Sequence, residues 1–151
     1  MINKILISTG GSGGHVIPAI VLHEHLNDKN ELFITTDKRG YRFLDKNNYK
    51  IEIINTPRLN NIFLFPLNLL IIFFLTIKSF FFLRNRKINI LFSTGGYMSL
   101  PLVIAAKILN CKIYLLEPNI VLGRANKFFL NSCKKIICYT NHLKNFPKNL
   151  N

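Results

Sequence analysis

The chain has 151 residues with 20 Lys and Arg against 7 Asp and Glu, a formal net charge of +13 at pH 7, and is 49% hydrophobic. That length fits one domain with a real core, and a mean hydropathy of +0.23 is too low for a bundle of membrane spans. Three cysteines, Cys111, Cys133 and Cys138, with no Cys-x-x-Cys pair, argue against a disulfide framework and fit buried free thiols in a reducing compartment.

The basic balance nominates nucleic acid and anionic lipid as partners. No helix-turn-helix, zinc or RNP-type pattern accompanies it, so no nucleic-acid partner is expected. Abundant Ile, Lys, Asn and Phe without Trp is also what an AT-rich coding sequence would produce, which accounts for part of the charge. The apolar start is too short for a signal peptide and runs straight into a glycine turn.

Residues 4–8 are the first predicted strand, and Gly10-Gly11-Ser12-Gly13-Gly14-His15 follows it. Glycines let backbone N–H groups approach a ligand closely. The helix expected over residues 16–26 points its positive end at the same place, which suits a phosphate or other anion. His15 falls at the helix start and faces that space. A tight turn with no ligand is the plain alternative. The turn is not a P-loop, because no Gly-Lys-Ser/Thr closes it. Gly11-x-Gly13-x-x-Val16 lacks the third glycine of the dinucleotide fingerprint, although Asp37 stands where a ribose-binding acid would. Val16, Ile20, Leu22 and Leu26 mark the core face of the helix. His23 and His25 are not an i, i+4 pair, so no metal site is expected and both read as surface residues.

A strand at 31–36, a polar turn at 37–40, a short helix at 41–46 and a strand at 51–55 come next. This alternation predicts a doubly wound parallel α/β sheet. After a loop at 57–61, residues 62–83 are nearly all apolar and end in Arg84-Asn85-Arg86-Lys87. Three placements compete: a true membrane span, since about 20 apolar residues suffice, an ordinary buried helix, and a crossover helix lying in the lipid interface. Residues 89–93 with Thr94-Gly95-Gly96-Tyr97 form a second strand-and-glycine-turn. Ligand loops of an open α/β sheet gather at the carboxyl ends of its strands, so both glycine turns belong to one sheet. A full crossing between them would divide that sheet. The interfacial crossover is therefore expected, broken near Pro66, with Ile71, Phe74 and Phe81 towards lipid beside Arg84, Arg86 and Lys87. Pro101 suits the first turn of a helix ending at 109. A strand at 112–116 then ends in Glu117-Pro118-Asn119. Gly123 precedes a helix at 124–131, a sixth strand covers 135–139, and a polar tail from 141 to 151 reads as a linker or frayed end.

Three stretches thus fall at three strand ends: Gly10-Gly11-Ser12-Gly13-Gly14-His15-Val16-Ile17-Pro18-Ala19, Gly95-Gly96-Tyr97-Met98-Ser99-Leu100-Pro101, and Glu117-Pro118-Asn119 with Gly123 and Asn126-Lys127. In this order and spacing they resemble the N-terminal domain of the bacterial MurG-type glycosyltransferases of family 28. The resemblance implies the Rossmann-like N-terminal half of a GT-B enzyme over residues 1–140, with 141–151 leading to a C-terminal donor-binding domain or a separate subunit. It implies transfer of GlcNAc from UDP-GlcNAc to undecaprenyl-pyrophosphoryl-MurNAc-pentapeptide in peptidoglycan synthesis, without a cofactor, at an anionic membrane surface on the cytoplasmic side. By that resemblance Ser12, Gly13, Gly14 and Asn119 touch the donor. Gly11, Gly95, Gly96, Tyr97, Glu117 and Asn126 serve the acceptor, and His15 is the general base. The chemistry agrees, because an attacking hydroxyl must lose its proton to something.

The sequence also departs from that family. Ser12 stands where a threonine is usual, Leu116-Glu117-Pro118-Asn119 where His-Glu-Gln-Asn is usual, and Leu100 where a small residue is usual. Without the second domain no turnover is expected. Two other readings stand beside this one. The first is a non-catalytic membrane-anchored subunit that recruits a donor-binding partner. The second is a nucleotide-cofactor domain, which the missing third glycine disfavours.

Overall fold

The computed structural model describes residues 2–57, 59 and 63–147; parts of the expected 57–61 loop, the first residue of the apolar segment and the last four of the tail lie outside the described residues. The chain alternates β1 (Asn3–Ser8), α1 (Gly13–Leu26), β2 (Asn30–Thr36), β3 (Ile51–Ile53), α2 (Phe65–Asn85), β4 (Ile90–Ser93), α3 (Leu100–Ile108), β5 (Lys112–Glu117), α4 (Arg124–Phe129) and β6 (Lys135–Cys138). The strands form one sheet in the order β3-β2-β1-β4-β5-β6, and every pairing is parallel. This is the doubly wound arrangement. Strands covered on both faces need near-continuous apolar runs, which Ile5-Leu6-Ile7 and Leu32-Phe33-Ile34 supply.

Successive side chains point to opposite faces. Ile5 and Ile7 join Val16 and Ala19 of α1, with Leu32, Ile34 and Leu44. Leu6 joins the other layer, where Leu83, Leu91, Leu102, Val103, Ile113, Leu115 and Phe129 meet. From β1 the chain winds outward to β3, then crosses back through α2 to β4. β1 therefore sits between β2 and β4, with Ile7 level with Ile34 on one side and Phe92 on the other.

Several boundaries move. α1 begins at Gly13, because the Ser12 carbonyl accepts from the N–H groups of His15 and Val16. The glycine turn is thus the helix's first turn, and His15 lies inside it. The short helix near 41–46 is a single 3-10 turn, Gly40–Phe43. Another 3-10 turn, Tyr97–Ser99, leads into α3. Pro66 does not break α2; it sits in the first turn, where its missing N–H leaves no intrahelical bond unmade. His23 is not a surface residue. The inner face of α1 runs Val16, Ala19, His23, and the imidazole packs edge-on against Tyr49 with centroids 4.8 Å apart. Burial lowers its pKa, although Glu24 pulls the other way. His25 is exposed and bonds the Val21 carbonyl. The tail is docked as far as it is described: Lys144 bridges Val121, and Leu143 and Phe146 pack on the core.

α2 has 21 residues, about 30 Å of helix, and by length and composition is apolar enough to cross a membrane. Its burial is inverted. Asn68, Ile72, Ser79 and Leu83 face inward, while Phe73 (59% exposed), Phe74 (65%) and Phe81 (54%) face out. A bilayer crossing would separate β3 from β4, which share one sheet, so α2 is the crossover helix. Its C-terminal end is pinned by the Arg86 guanidinium, which lies 4.8 Å from the Phe33 ring centre and 5.2 Å from that of Phe82.

Leu83→Ala will lower the unfolding free energy by about 2–5 kcal/mol, whereas Phe74→Ser will change it by less than about 0.5 kcal/mol. Urea denaturation measures both; equal losses would mean the outward face of α2 belongs to the core.

Candidate active site

The loops after β1 and β4 part company at the switch point, where the chain reverses its direction across the sheet. Several hydrogen bonds tie them together. The Thr94 N–H donates to Ser8 O at 3.0 Å. The Thr94 hydroxyl donates to Thr9 Oγ1 at 3.0 Å, and the Thr9 hydroxyl donates to His15 O at 2.9 Å. His15 Nδ1 lies 2.7 Å from Thr94 O. A carbonyl oxygen can only accept, so Nδ1 carries the proton and Nε2 of the neutral ring keeps its lone pair. The fold thereby orients a half-buried imidazole.

That ring lines a cleft of about 500 Å³ whose walls come from three strand ends: His15; Gly95, Gly96, Tyr97 and Leu100; and Glu117, Asn119, Gly123, Arg124, Asn126 and Phe128. His15, Gly95, Gly96, Tyr97, Glu117, Asn119 and Asn126, spread over more than a hundred positions of the sequence, converge here. Gly11, Ser12, Gly13 and Gly14 are not among the lining residues; Gly11 bonds Asp37, and Gly13 lies against the Phe43 ring. Leu59, Arg124 and Phe128 line the cleft without having been singled out from the sequence, and Leu100, noted only as a departure from the family pattern, lines it too. For Arg124 and Phe128 a signal existed, since they follow Gly123 one helical turn apart and share a face. Gly95 has φ +84°, and a Cβ there would stand 2.9 Å from Asn126 Nδ2, so only glycine fits. A second hollow, about 440 Å³, lies by Asn30, Glu31 and Lys50 at the other edge of the sheet, and none of the motif residues reaches it.

Glu117 is 1% exposed and organises the loop after β5. Oε1 accepts from the Asn119 N–H at 3.2 Å and from its side-chain amide at 2.9 Å. Oε2 accepts from the Gly123 N–H at 2.8 Å and from Asn126 Nδ2 at 3.0 Å. The carboxylate spends these lone pairs holding Asn119 and Asn126 at the cleft wall.

Asp37 does the same for the glycine turn. Its Oδ1 accepts from the N–H of Gly11 and of Gly40, each at 2.8 Å. Burial pushes the carboxyl pKa up, but these two N–H groups and the Arg39 cation outweigh it and hold the value below the usual range. The carboxylate is committed to the protein and not turned towards a ribose.

The apolar residues Ile71, Phe74 and Phe81 are exposed on α2, outside the cleft. Arg84, Arg86 and Lys87 end α2 where the chain enters β4, at the edge of the sheet opposite the cleft. Phe65, at the other end of α2, lies on the cleft side.

The model of the Glycosyltransferase family 28 N-terminal domain matches residues 5–138. Over 97% of its length the chain is 54% identical to the UDP-N-acetylglucosamine--N-acetylmuramyl-(pentapeptide) pyrophosphoryl-undecaprenol N-acetylglucosamine transferase of Pelagibacter ubique, covering 42% of that protein. To the Rickettsia felis protein of the same name it is 35% identical, over 96% of this chain and 40% of that one. The chain spans about two fifths of the length of these relatives. Among solved structures, Acinetobacter baumannii MurG superposes with a TM-score of 0.82 at 22% identity, over 97% of this chain and 44% of that one. A glycosyltransferase from Rickettsia africae follows the same fold with a TM-score of 0.68 at 17% identity, over 93% of this chain and 37% of that one.

The lowered pKa of Asp37 gives a pH signature. A group whose folded-state value lies below its unfolded value stabilises fully above the unfolded value, about 4, and loses that contribution as the pH falls through the folded value. The gap in thermal midpoint between the wild-type chain and Asp37→Asn will hold from pH 7 to about 5 and close below about 4. A gap that persists unchanged at pH 3 would show that the charge on this carboxylate does not hold the turn.

Proposed function

The chain belongs to the glycosyltransferase family 28 N-terminal domain family, and on that premise we propose that it is the acceptor-side half of a hexosyltransferase moving GlcNAc from UDP-GlcNAc to a lipid-linked pyrophosphoryl-MurNAc-peptide. The observation that carries this reading is the orientation of His15, whose Nδ1 is spent on Thr94 O and whose Nε2 is left to accept a proton beside Tyr97 and Asn119. In the reaction the acceptor hydroxyl oxygen bonds to the sugar's anomeric carbon. The bond from that carbon to the diphosphate breaks, UDP leaves with the electron pair, and the hydroxyl proton passes to Nε2. The glycine turn at Gly95-Gly96 presents its backbone to the acceptor diphosphate. Ser12, Gly13 and Gly14, with Asn119, meet the donor sugar nucleotide. UDP needs further stabilisation from a donor-binding half, in the same polypeptide or a separate subunit, and the greater length of the relatives supports that.

The outward face of α2 docks on the cytoplasmic face of the membrane, with Ile71, Phe74 and Phe81 in the interface and Arg84, Arg86 and Lys87 drawn to anionic headgroups. The N-terminal end of α2 lies on the cleft side of the sheet, so a lipid tail in the bilayer and its diphosphate in the cleft are compatible. A nucleotide-cofactor domain is the weaker reading, since Asp37 is 6% exposed and already holds Gly11, Gly40 and Arg39.

In the enzyme assembled with its donor-binding half, His15→Ala will lower kcat by at least about 100-fold and leave vesicle binding unchanged; equal turnover would remove His15 from the mechanism. Replacing Ile71, Phe74 and Phe81 together by Ser will release the chain from vesicles containing anionic lipid in a flotation assay. Retention of the triple variant would dissociate α2 from the membrane.

A further inference from the structure

Arg39 lies outside every motif read in the sequence, yet its guanidinium stands between the two glycine turns. Nε donates to Asp37 Oδ2 at 3.4 Å and Nη2 donates to the Tyr97 hydroxyl at 2.7 Å. A Cβ added to Gly11 would lie 3.6 Å from Nη2. Asp37 is 6% exposed, and its other oxygen holds Gly11 and Gly40. One buried carboxylate therefore ties the turn after β1 to the turn after β2, and the guanidinium it orients reaches the turn after β4. The planar fork of arginine can serve a carboxylate and a phenol at once and still has donors to spare. Next to Tyr97, Met98 closes the same contact. A Cβ on Gly10 would meet Met98 Cε at 2.7 Å and Asp37 Oδ1 at 2.9 Å, so the three turns are packed on one another without slack.

We propose that Arg39 is the positioning residue of the cleft: oriented by Asp37, it fixes Tyr97 at the cleft wall and so sets the affinity for a diphosphate-bearing ligand. The identity of that ligand rests on the glycosyltransferase reading; the placement of Tyr97 does not.

The test uses the full 151-residue chain in two arms. In the first, NMR follows the Tyr97 ring and the Gly95 and Gly96 amides without ligand. Arg39→Met will shift all three sets of signals and average the ring environment, with little change in thermal midpoint, and Arg39→Lys will restore them in part. In the second, inorganic pyrophosphate is titrated into each variant. Arg39→Met and Tyr97→Phe will each weaken binding about tenfold, and the double variant no more than either alone, because both remove one shared interaction. Tyr97 signals unmoved by Arg39→Met would overturn the proposal. So would Arg39→Met binding pyrophosphate as tightly as wild type, or two losses that multiply, which would make Arg39 an independent phosphate ligand. A wild-type chain that does not bind pyrophosphate would count against the glycosyltransferase reading of the cleft, and the first arm would then uphold or overturn the positioning by itself.

Discussion

The pairing of β1 with β4 is the constraint on which the rest of the molecule depends. The chain leaves β1 in one direction and comes back to its other side only after two more strands and a long helix. The loops that follow β1 and β4 therefore leave the sheet side by side, and the gap lined by His15 and the loops after β4 and β5 opens there. Thr94 stitches the base of that gap to Ser8 and Thr9, and the same residue's carbonyl seats His15. A single parallel pairing thus sets the His15 ring against the cleft.

Glycine-rich turns are soft by themselves, because glycine loses more conformational entropy on ordering than any other residue. Two buried carboxylates offset this. Asp37 and Glu117 each take backbone N–H groups from the loop they organise, a use that satisfies the buried charge and rigidifies the turn together. Both carboxylates are turned into the protein, Asp37 6% and Glu117 1% exposed. The departure at Pro118 is accommodated because Glu117 draws its donors from Asn119, Gly123 and Asn126, and Pro118 has none to give.

α2 shows the opposite allocation. Its inner face carries Asn68 and Ser79 beside Ile72 and Leu83, and its outer face carries phenylalanines that contribute nothing to the core. Exposed apolar area costs about 25 cal/mol per Å² in water, and Phe73, Phe74 and Phe81 are each more than half exposed. The basic cluster lies at one end of α2 and the cleft-side residues at the other, and the sheet stays whole.

Composition and local pattern were enough to determine the class of fold. Short apolar runs of strand length, each followed by a turn signal, admit few arrangements other than a parallel sheet wrapped by helices, and two glycine turns at strand ends marked where the loops gather. His15, Gly95, Gly96 and Tyr97 were legible from their turns at strand ends, and Glu117, Asn119 and Asn126 through the family resemblance. Tertiary structure alone decided what each one touches. Gly11 finds Asp37 26 positions away and Tyr97 finds Arg39 58 positions away, distances over which neither helical nor strand periodicity carries information. The same holds for His23, whose helical spacing fits either face until β2 and Tyr49 cover one of them. It holds too for the tail, whose polar composition hid the packing of Leu143 and Phe146. Local patterns report the geometry of a few neighbouring residues; which carboxylate meets which turn is settled only when the sheet brings distant segments into contact.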